Sequence, residues 1–455
     1  MRPAELIVQD AFDRYWTGIG EALDRAEARR LDVLAETTRF APPFRFPTRD
    51  ELPGDTTAAT GLSLNDLGEY RGKQLLFLDL TRNPGTRTTK TFGSLAIILR
   101  AVEHTRVTGE PVMLVTPSAA NKASALRDAV SHAYEVGLAT PSTLRVSVVI
   151  PASGLPKVWA SVLDDDADLQ RLNPICVYGG EDREGVKPLV HGFVDNYAER
   201  LLDEYGVRVW DSLHVDNYMV ADVIRAFAEA DAWGVPQNPR LHVHAVSSAY
   251  GFLGHALGTE IRGGGAPARY LMVQHLATPD LVLWSHTGRI DEVDLPAYSY
   301  DPATNVYRQD ESTYFPPTVE SLHEIVEPTF YTRRPPTVER IADWLPGARD
   351  RGMVVSRQEC LSRYDDVMER LAAHTHVRPI ARPDDVREWA MIMALAGAMN
   401  AIDRGLVEED EIVIHGSGYY GADDVGTRSE DSLTHVSSSA DIADAVMSAC
   451  RLTSA

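Results

Sequence analysis

Lys90 closes the run Asn83-Pro84-Gly85-Thr86-Arg87-Thr88-Thr89-Lys90, where a Pro-Gly loop turns into the apolar stretch Leu95 to Leu99. A lysine held at such a junction with its stem buried is partly desolvated. Its pKa then falls, and the free amine becomes a competent Schiff-base nucleophile. The same loop also fits a solvated lysine at a helix start, so it does not stand alone. Three further loops of small residues each follow an apolar, strand-like segment. In Thr116-Pro117-Ser118-Ala119-Ala120-Asn121-Lys122-Ala123 the small side chains let backbone amides approach an anion at a helix start, and Asn121 can donate to a ring oxygen. In Val246-Ser247-Ser248-Ala249-Tyr250-Gly251, hydroxyls and free amides at a helix start make a phosphate cradle. The fourth is the turn His415-Gly416-Ser417-Gly418. Ordinary helix capping explains the second and third equally well.

The elements that must position these loops alternate in type. Leu75 to Leu80, Val112 to Val115, Arg145 to Ile150, Leu241 to Val246, Tyr270 to Gln274 and Ile412 to His415 read as strands. Helices are expected over Thr91 to Glu103 and Ala123 to Val136, which together imply an α/β fold with mainly parallel sheets. Glu5 to Phe40 reads as helical, with Leu6, Phe12, Trp16 and Ile19 on helical spacing, and Ala41 to Gly61 as irregular. This N-terminal part is expected to be a dimerisation arm or a lid.

With 455 residues, the chain is long enough for two domains. Its 44 basic residues against 66 acidic ones give a net charge of −22, which argues against nucleic acid as a partner. Cys176, Cys360 and Cys450 lie far apart, in no metal or disulfide pattern. No apolar leader follows Met1, and the apolar run Met391 to Met399 is too short for a bilayer, so a soluble, cytoplasmic protein without membrane partners is expected. Gly416-Ser417-Gly418-Tyr419-Tyr420-Gly421 matches a dinucleotide fingerprint. That fingerprint needs a helix and a second strand, and the sequence beyond Gly421 is polar, with no apolar strand expected. His242 and His244 share one strand face, but no third ligand is evident nearby, and no metal site is expected.

Taken together, the four loops resemble the fold-type II pyridoxal-phosphate enzymes (the tryptophan synthase beta superfamily), and threonine synthase-like members in particular. The family's Asn-Pro-Thr-Gly-Ser-Phe-Lys loop is matched by Asn83 to Lys90, and its Ser-Gly-Asn-Thr loop by Ala119 to Lys122. Its phosphate loop is matched by Ser247 to Gly251, and the loop that meets the pyridine nitrogen by His415 to Gly418. Asp211-Ser212-Leu213-His214-Val215-Asp216-Asn217-Tyr218, and Val355-Ser356-Arg357-Gln358-Glu359 opening a helix, extend the likeness.

The resemblance implies two three-layer α/β domains with the cofactor between them, plus an N-terminal helical extension over residues 1–73. The large domain would take residues 74–110 and 206–455, and a small mobile domain residues 111–205. It implies pyridoxal 5'-phosphate on Lys90, with Asn121, Ser247, Ser248, Ala249, Tyr250, Gly251, and His415 or Ser417 around it. Thr89, Ser118, Ala119 and Lys122 would meet an amino-acid substrate in a homodimer. Several positions depart from the family: Thr91 and Phe92 replace an Asp-Arg pair, Ala120 and Lys122 replace Gly and Thr, Asp211 replaces Asn, Tyr250 replaces Gly, and His415 replaces a small hydroxyl residue. These changes point away from threonine synthesis and toward a specialised lyase working by β- or γ-elimination or replacement, in secondary metabolism. A non-catalytic scaffold that binds a ligand or partner, and a dinucleotide oxidoreductase, are the alternatives.

Overall fold

A computed structural model describes residues 5–33, 39–180 and 183–451. It contains two compact units. One is drawn from residues 1–11, 61–82 and 222–423, the other from residues 12–60, 83–221 and 424–455. The expected domains are cut differently. Residues 12–60 form no separate extension, and residues 424–455 group with 83–221 rather than with 222–423.

The first unit is built on a seven-stranded sheet in the order Glu5–Val8, Leu62–Tyr70, Lys73–Asp79, Glu411–Gly416, Leu241–Ala245, Arg269–Gln274, Gly352–Val354. From Lys73–Asp79 onward every pairing is parallel, while the two strands before it pair antiparallel. Leu75, Leu76, Phe77 and Leu78 are all fully buried, as a strand covered on both faces requires. Helix Ala390–Asp403 packs among these strands with its small residues inward. A Cβ at its Gly397 would lie 2.6 Å from Val273 Cγ2, so only glycine allows this approach. Helix Arg357–His374 opens with a complete capping box. Glu359 N donates to Ser356 Oγ at 3.1 Å, and Ser356 N donates to Glu359 Oε2 at 3.0 Å. The Val-Ser-x-x-Glu likeness noted above therefore has a local cause.

The second unit holds a fully parallel five-stranded sheet in the order Leu433–Val436, Ile175–Tyr178, Leu144–Pro151, Val112–Pro117, Arg208–Trp210. Its strands alternate with helices Lys90–Thr108, Asn121–Glu135 and Val186–Tyr205. The α/β class with parallel sheets is thus as expected.

Two expectations are corrected. Glu5–Val8 is a strand paired with Leu62–Tyr70; the described helices in this region are Ala11–Arg14 and Trp16–Val33, and residues 34–38 of the expected helix lie outside the described residues. A strand does follow Gly421, namely Leu433–Val436, but it pairs with Ile175–Tyr178 in the other sheet from Glu411–Gly416. Among the described residues, the one α-helix between the glycines and that strand is the four-residue Ala422–Val425, so the βαβ context of a dinucleotide site is not met.

Candidate functional site

In the second unit the Lys90 loop is tied down by its own side chains. Asn83 Oδ1 accepts from Thr86 Oγ1 at 2.7 Å and from Thr88 N at 3.0 Å, while Asn83 Nδ2 donates to Thr88 O at 3.1 Å. Thr86 and Thr91 hydroxyls meet at 2.6 Å. Gly85 is needed because a Cβ there would fall 2.0 Å from Asp128 Oδ1. Burial raises that carboxyl to about 6. Lys90 is the first residue of its helix, with Thr89 at the N-cap.

Three residues on, Gly93 has no room for a Cβ, which would sit 2.5 Å from Tyr218 Cδ1. The bare helix surface lets the Tyr218 ring lie alongside, and Lys90 Nζ stands 5.0 Å from the ring centroid. Tyr218 is itself held through its neighbour. Buried Arg100 donates to Asn217 Oδ1, and Asn217 Nδ2 donates to Ser212 O at 3.0 Å. The Asp211 to Tyr218 segment was picked out from the sequence; the tyrosine at its end was not recognised as the surface beneath the lysine.

Lys122 meets the same ring, its Nζ 5.8 Å from the centroid. The side chain is 8% exposed and its Nζ makes no hydrogen bond. Burial brings its pKa down to about 7; Asp211 opposes this and Lys90 adds to it. Ser118, also buried, accepts from Ala123 N at 2.9 Å and so caps helix Asn121–Glu135, with its O–H left to donate. The carbonyl of Ala119 rests where a Cβ of Gly154 would stand, 2.1 Å away, so the loop is backed by a glycine.

In the first unit, the 246–251 loop leads into helix Tyr250–Arg262. Its N-cap, Ala249, lies in the left-handed region at φ +53 and supplies no side-chain cap. A non-glycine residue there is strained, and such strain gathers at ligand loops. A Cβ at Gly251 would meet the Arg225 guanidinium at 2.6 to 2.8 Å. Burial also raises the Tyr250 hydroxyl, while Ser248 hydrogen-bonds to it and opposes the shift.

His415 is fully buried, and both ring nitrogens are taken. Nδ1 lies 3.0 Å from Arg225 Nη1 and Nε2 lies 3.1 Å from His242 Nδ1. The expected meeting of His415 with a pyridine nitrogen therefore finds no free ring atom, and Ser417, the alternative on the same turn, is 7% exposed.

The contacts also assign the protons. Arginine only donates, so His415 Nδ1 accepts and its proton is on Nε2; that N–H donates to His242 Nδ1, which leaves the His242 proton on Nε2. His242 Nε2 faces Glu229 Oε2 at 3.9 Å. The same oxygen takes His255 Nε2 at 2.9 Å, and His255 Nδ1 meets Tyr270 hydroxyl at 3.0 Å. Burial holds His242 down at about 3 and His415 well below its ordinary value. Glu229 stays below the usual carboxylate range. Burial opposes this, but His242, His255 and Arg240, whose Nη1 is 2.7 Å away, outweigh it.

His242 thus has two neighbouring groups of ligand type that the sequence did not reveal. Glu229 and His255 come from helices Ile224–Trp233 and Tyr250–Arg262, and the three offer metal-ligating atoms within 4.8 Å of one another. His244 is not of the group. A cation here would need the His242 Nε2 lone pair, which the donor chain from Arg225 fills with a proton.

The fold resembles those of several solved enzymes at low identity. A pyridoxal 5'-phosphate-dependent aspartate racemase aligns at 15% identity and TM-score 0.49, over 88% of this chain and 94% of that one. Threonine synthase from Escherichia coli aligns at 14% and 0.48, over 76% and 67%. Threonine synthase from yeast aligns at 13% and 0.48, over 88% and 74%. Scores below 0.5 leave these as likenesses only. No curated protein matches the sequence. One family model does, across residues 7–450, and the chain belongs to the family it describes, the Family of unknown function (DUF6002).

Proposed function

We propose that the chain is a pyridoxal-phosphate-dependent enzyme acting on an amino acid, by elimination or replacement at Cβ or Cγ. The observation that supports it most is Lys90: an amine at the first residue of a helix, fixed by a buried threonine-asparagine loop and laid over Tyr218. The residues fit such a cofactor. Gly251 leaves no space for a side chain, Ala249 is strained at the start of a 13-residue helix, and Lys122 Nζ is buried with no hydrogen bond.

When bound, the cofactor supplies an electron sink for charge developing at the substrate's Cα. Lys90 Nζ would hold its aldehyde carbon, and its free amine would serve as the base that takes the Cα proton. Asn121 would donate to the ring oxygen, and Ser417 would face the ring nitrogen. Ser247, Ser248 and the amides opening helix Tyr250–Arg262, Gly251 among them, would hold the phosphate. The Ser118 hydroxyl, with Thr89 and the helix start at Asn121, would orient the substrate's α-carboxylate.

The test is a visible spectrum of protein given pyridoxal phosphate, with borohydride trapping and mapping of the modified peptide. A band in the wild type, absent in Lys90→Ala, with the label on Lys90, is expected. No band and no label on Lys90 would overturn the reading. A second reading, a non-catalytic binding scaffold, draws on His415, whose nitrogens are both committed inside the protein. A band that no amino acid perturbs would favour it.

A further inference from the structure

Helices Lys90–Thr108 and Asn121–Glu135 both begin without an acidic residue in the first turn and without a side-chain cap from the N-cap residue. Each places a lysine there, although a helix N-terminus already carries roughly half a positive charge. Both amines lie over the Tyr218 ring. The groups that face Lys122 are Lys90 on helix Lys90–Thr108, Tyr218 on helix Asp216–Asp222, and Asp211. Asp211 is already engaged, with its Oδ2 3.4 Å from His191 Nε2 and 4.0 Å from Arg39 Nη1. Positive charge is thus gathered around an amine that is nine-tenths buried and makes no hydrogen bond.

We propose that Lys122 seats a carboxylate on the substrate's side chain, so that the substrate is an amino acid bearing a second carboxylate. The proposal rests on the amino-acid reading above. The α-carboxylate has its own donors in the Ser118 hydroxyl and the amides of the helix start. One ammonium near Asp211 balances one negative charge, and a doubly charged phosphate would leave an excess beside that aspartate. In the free protein the amine titrates near neutrality because it is buried, and a carboxylate docking on it restores the charged form. Binding of a dicarboxylic ligand above neutral pH therefore takes up a proton.

Calorimetric titration at about pH 8, in two buffers of different ionisation enthalpy, measures affinity and proton uptake together. With cofactor-loaded protein, L-aspartate is expected to bind about tenfold or more tightly than L-alanine, and with net proton uptake. Lys122→Met should lose both the preference and the uptake. Equal affinities for the two amino acids in the wild type, a comparison that needs no variant, would overturn the proposal. So would unchanged proton uptake in Lys122→Met. Succinate titrated into protein without cofactor separates the two ideas. If the cofactor reading fails but the carboxylate seat is real, succinate still binds with Lys122-dependent proton uptake. If the seat fails, L-alanine still perturbs the cofactor band and succinate takes up no proton.

Discussion

Replacing Lys122 by methionine keeps the length of the side chain and removes an ammonium that has no hydrogen-bond partner, so the variant is expected to be more stable than the wild type. The size of the gain should depend on pH. Burial, opposed by Asp211 and aided by Lys90, carries the amine from 10.5 to about 7 in the folded protein. Between those values the unfolded chain holds a proton that the folded chain lacks, so wild-type stability rises with pH across that window. Below it the folded state carries the whole penalty, and above it the penalty is gone.

Each pKa unit corresponds to about 1.4 kcal/mol, so the full effect is on the order of 5 kcal/mol. That is comparable to the entire stability of many domains. From about pH 7 to about pH 9 the wild type should gain roughly 2 kcal/mol on the variant. Guanidinium unfolding at several pH values measures this; tryptophan fluorescence follows it, since Trp210 is buried in the same unit as Lys122. Parallel pH profiles for the two proteins would refute the reasoning, because they would mean that the amine is hydrated or paired in solution.

Gly93→Ala drives a methyl group into the Tyr218 ring, at an expected cost of about 1–3 kcal/mol in thermal melting, and should slow borohydride labelling of Lys90. Ser356→Ala removes one half of a capping box and should cost about 1 kcal/mol in urea unfolding, with no change in the visible band given by pyridoxal phosphate. Glu229→Gln takes the anion from between Arg240 and His255 and should cost about 3–5 kcal/mol. Because Glu229 is held below its ordinary value, the wild type should also lose stability as the pH falls below the usual carboxylate range. The variant should lack that loss in acid titrations followed by circular dichroism.

The parts of this molecule that were legible in the sequence are those specified within a few residues. Leu75 to Leu80 is a continuous apolar run of strand length, and it is a buried strand at Lys73–Asp79. Ser356 and Glu359 stand at capping-box spacing, and the box is complete. Lys90 follows a Pro-Gly loop and opens a helix. The missed elements depend on distant partners. Glu5–Val8 is apolar enough for helix or strand, and only its pairing with Leu62–Tyr70 decides between them. Leu433–Val436 is partly exposed along most of its length and pairs on one side only, so its pattern is weak.

The histidine cluster follows the same logic more sharply. His242 is read from a strand, but Glu229 and Arg225 arrive from a helix 13 or more residues earlier, His255 from a helix 13 residues later, and His415 from the neighbouring strand of the sheet. One signal was available. Ile224–Trp233 is an apolar helix in which Arg225 and Glu229 lie four residues apart, on one face, and both are buried. Two opposite charges on the inward face of such a helix demand partners of their own, and a histidine-rich strand is where those partners lie. The tautomers then follow from the arginine alone. The cluster is therefore a set of directed hydrogen bonds that locks His415 in place and leaves neither of its ring nitrogens free.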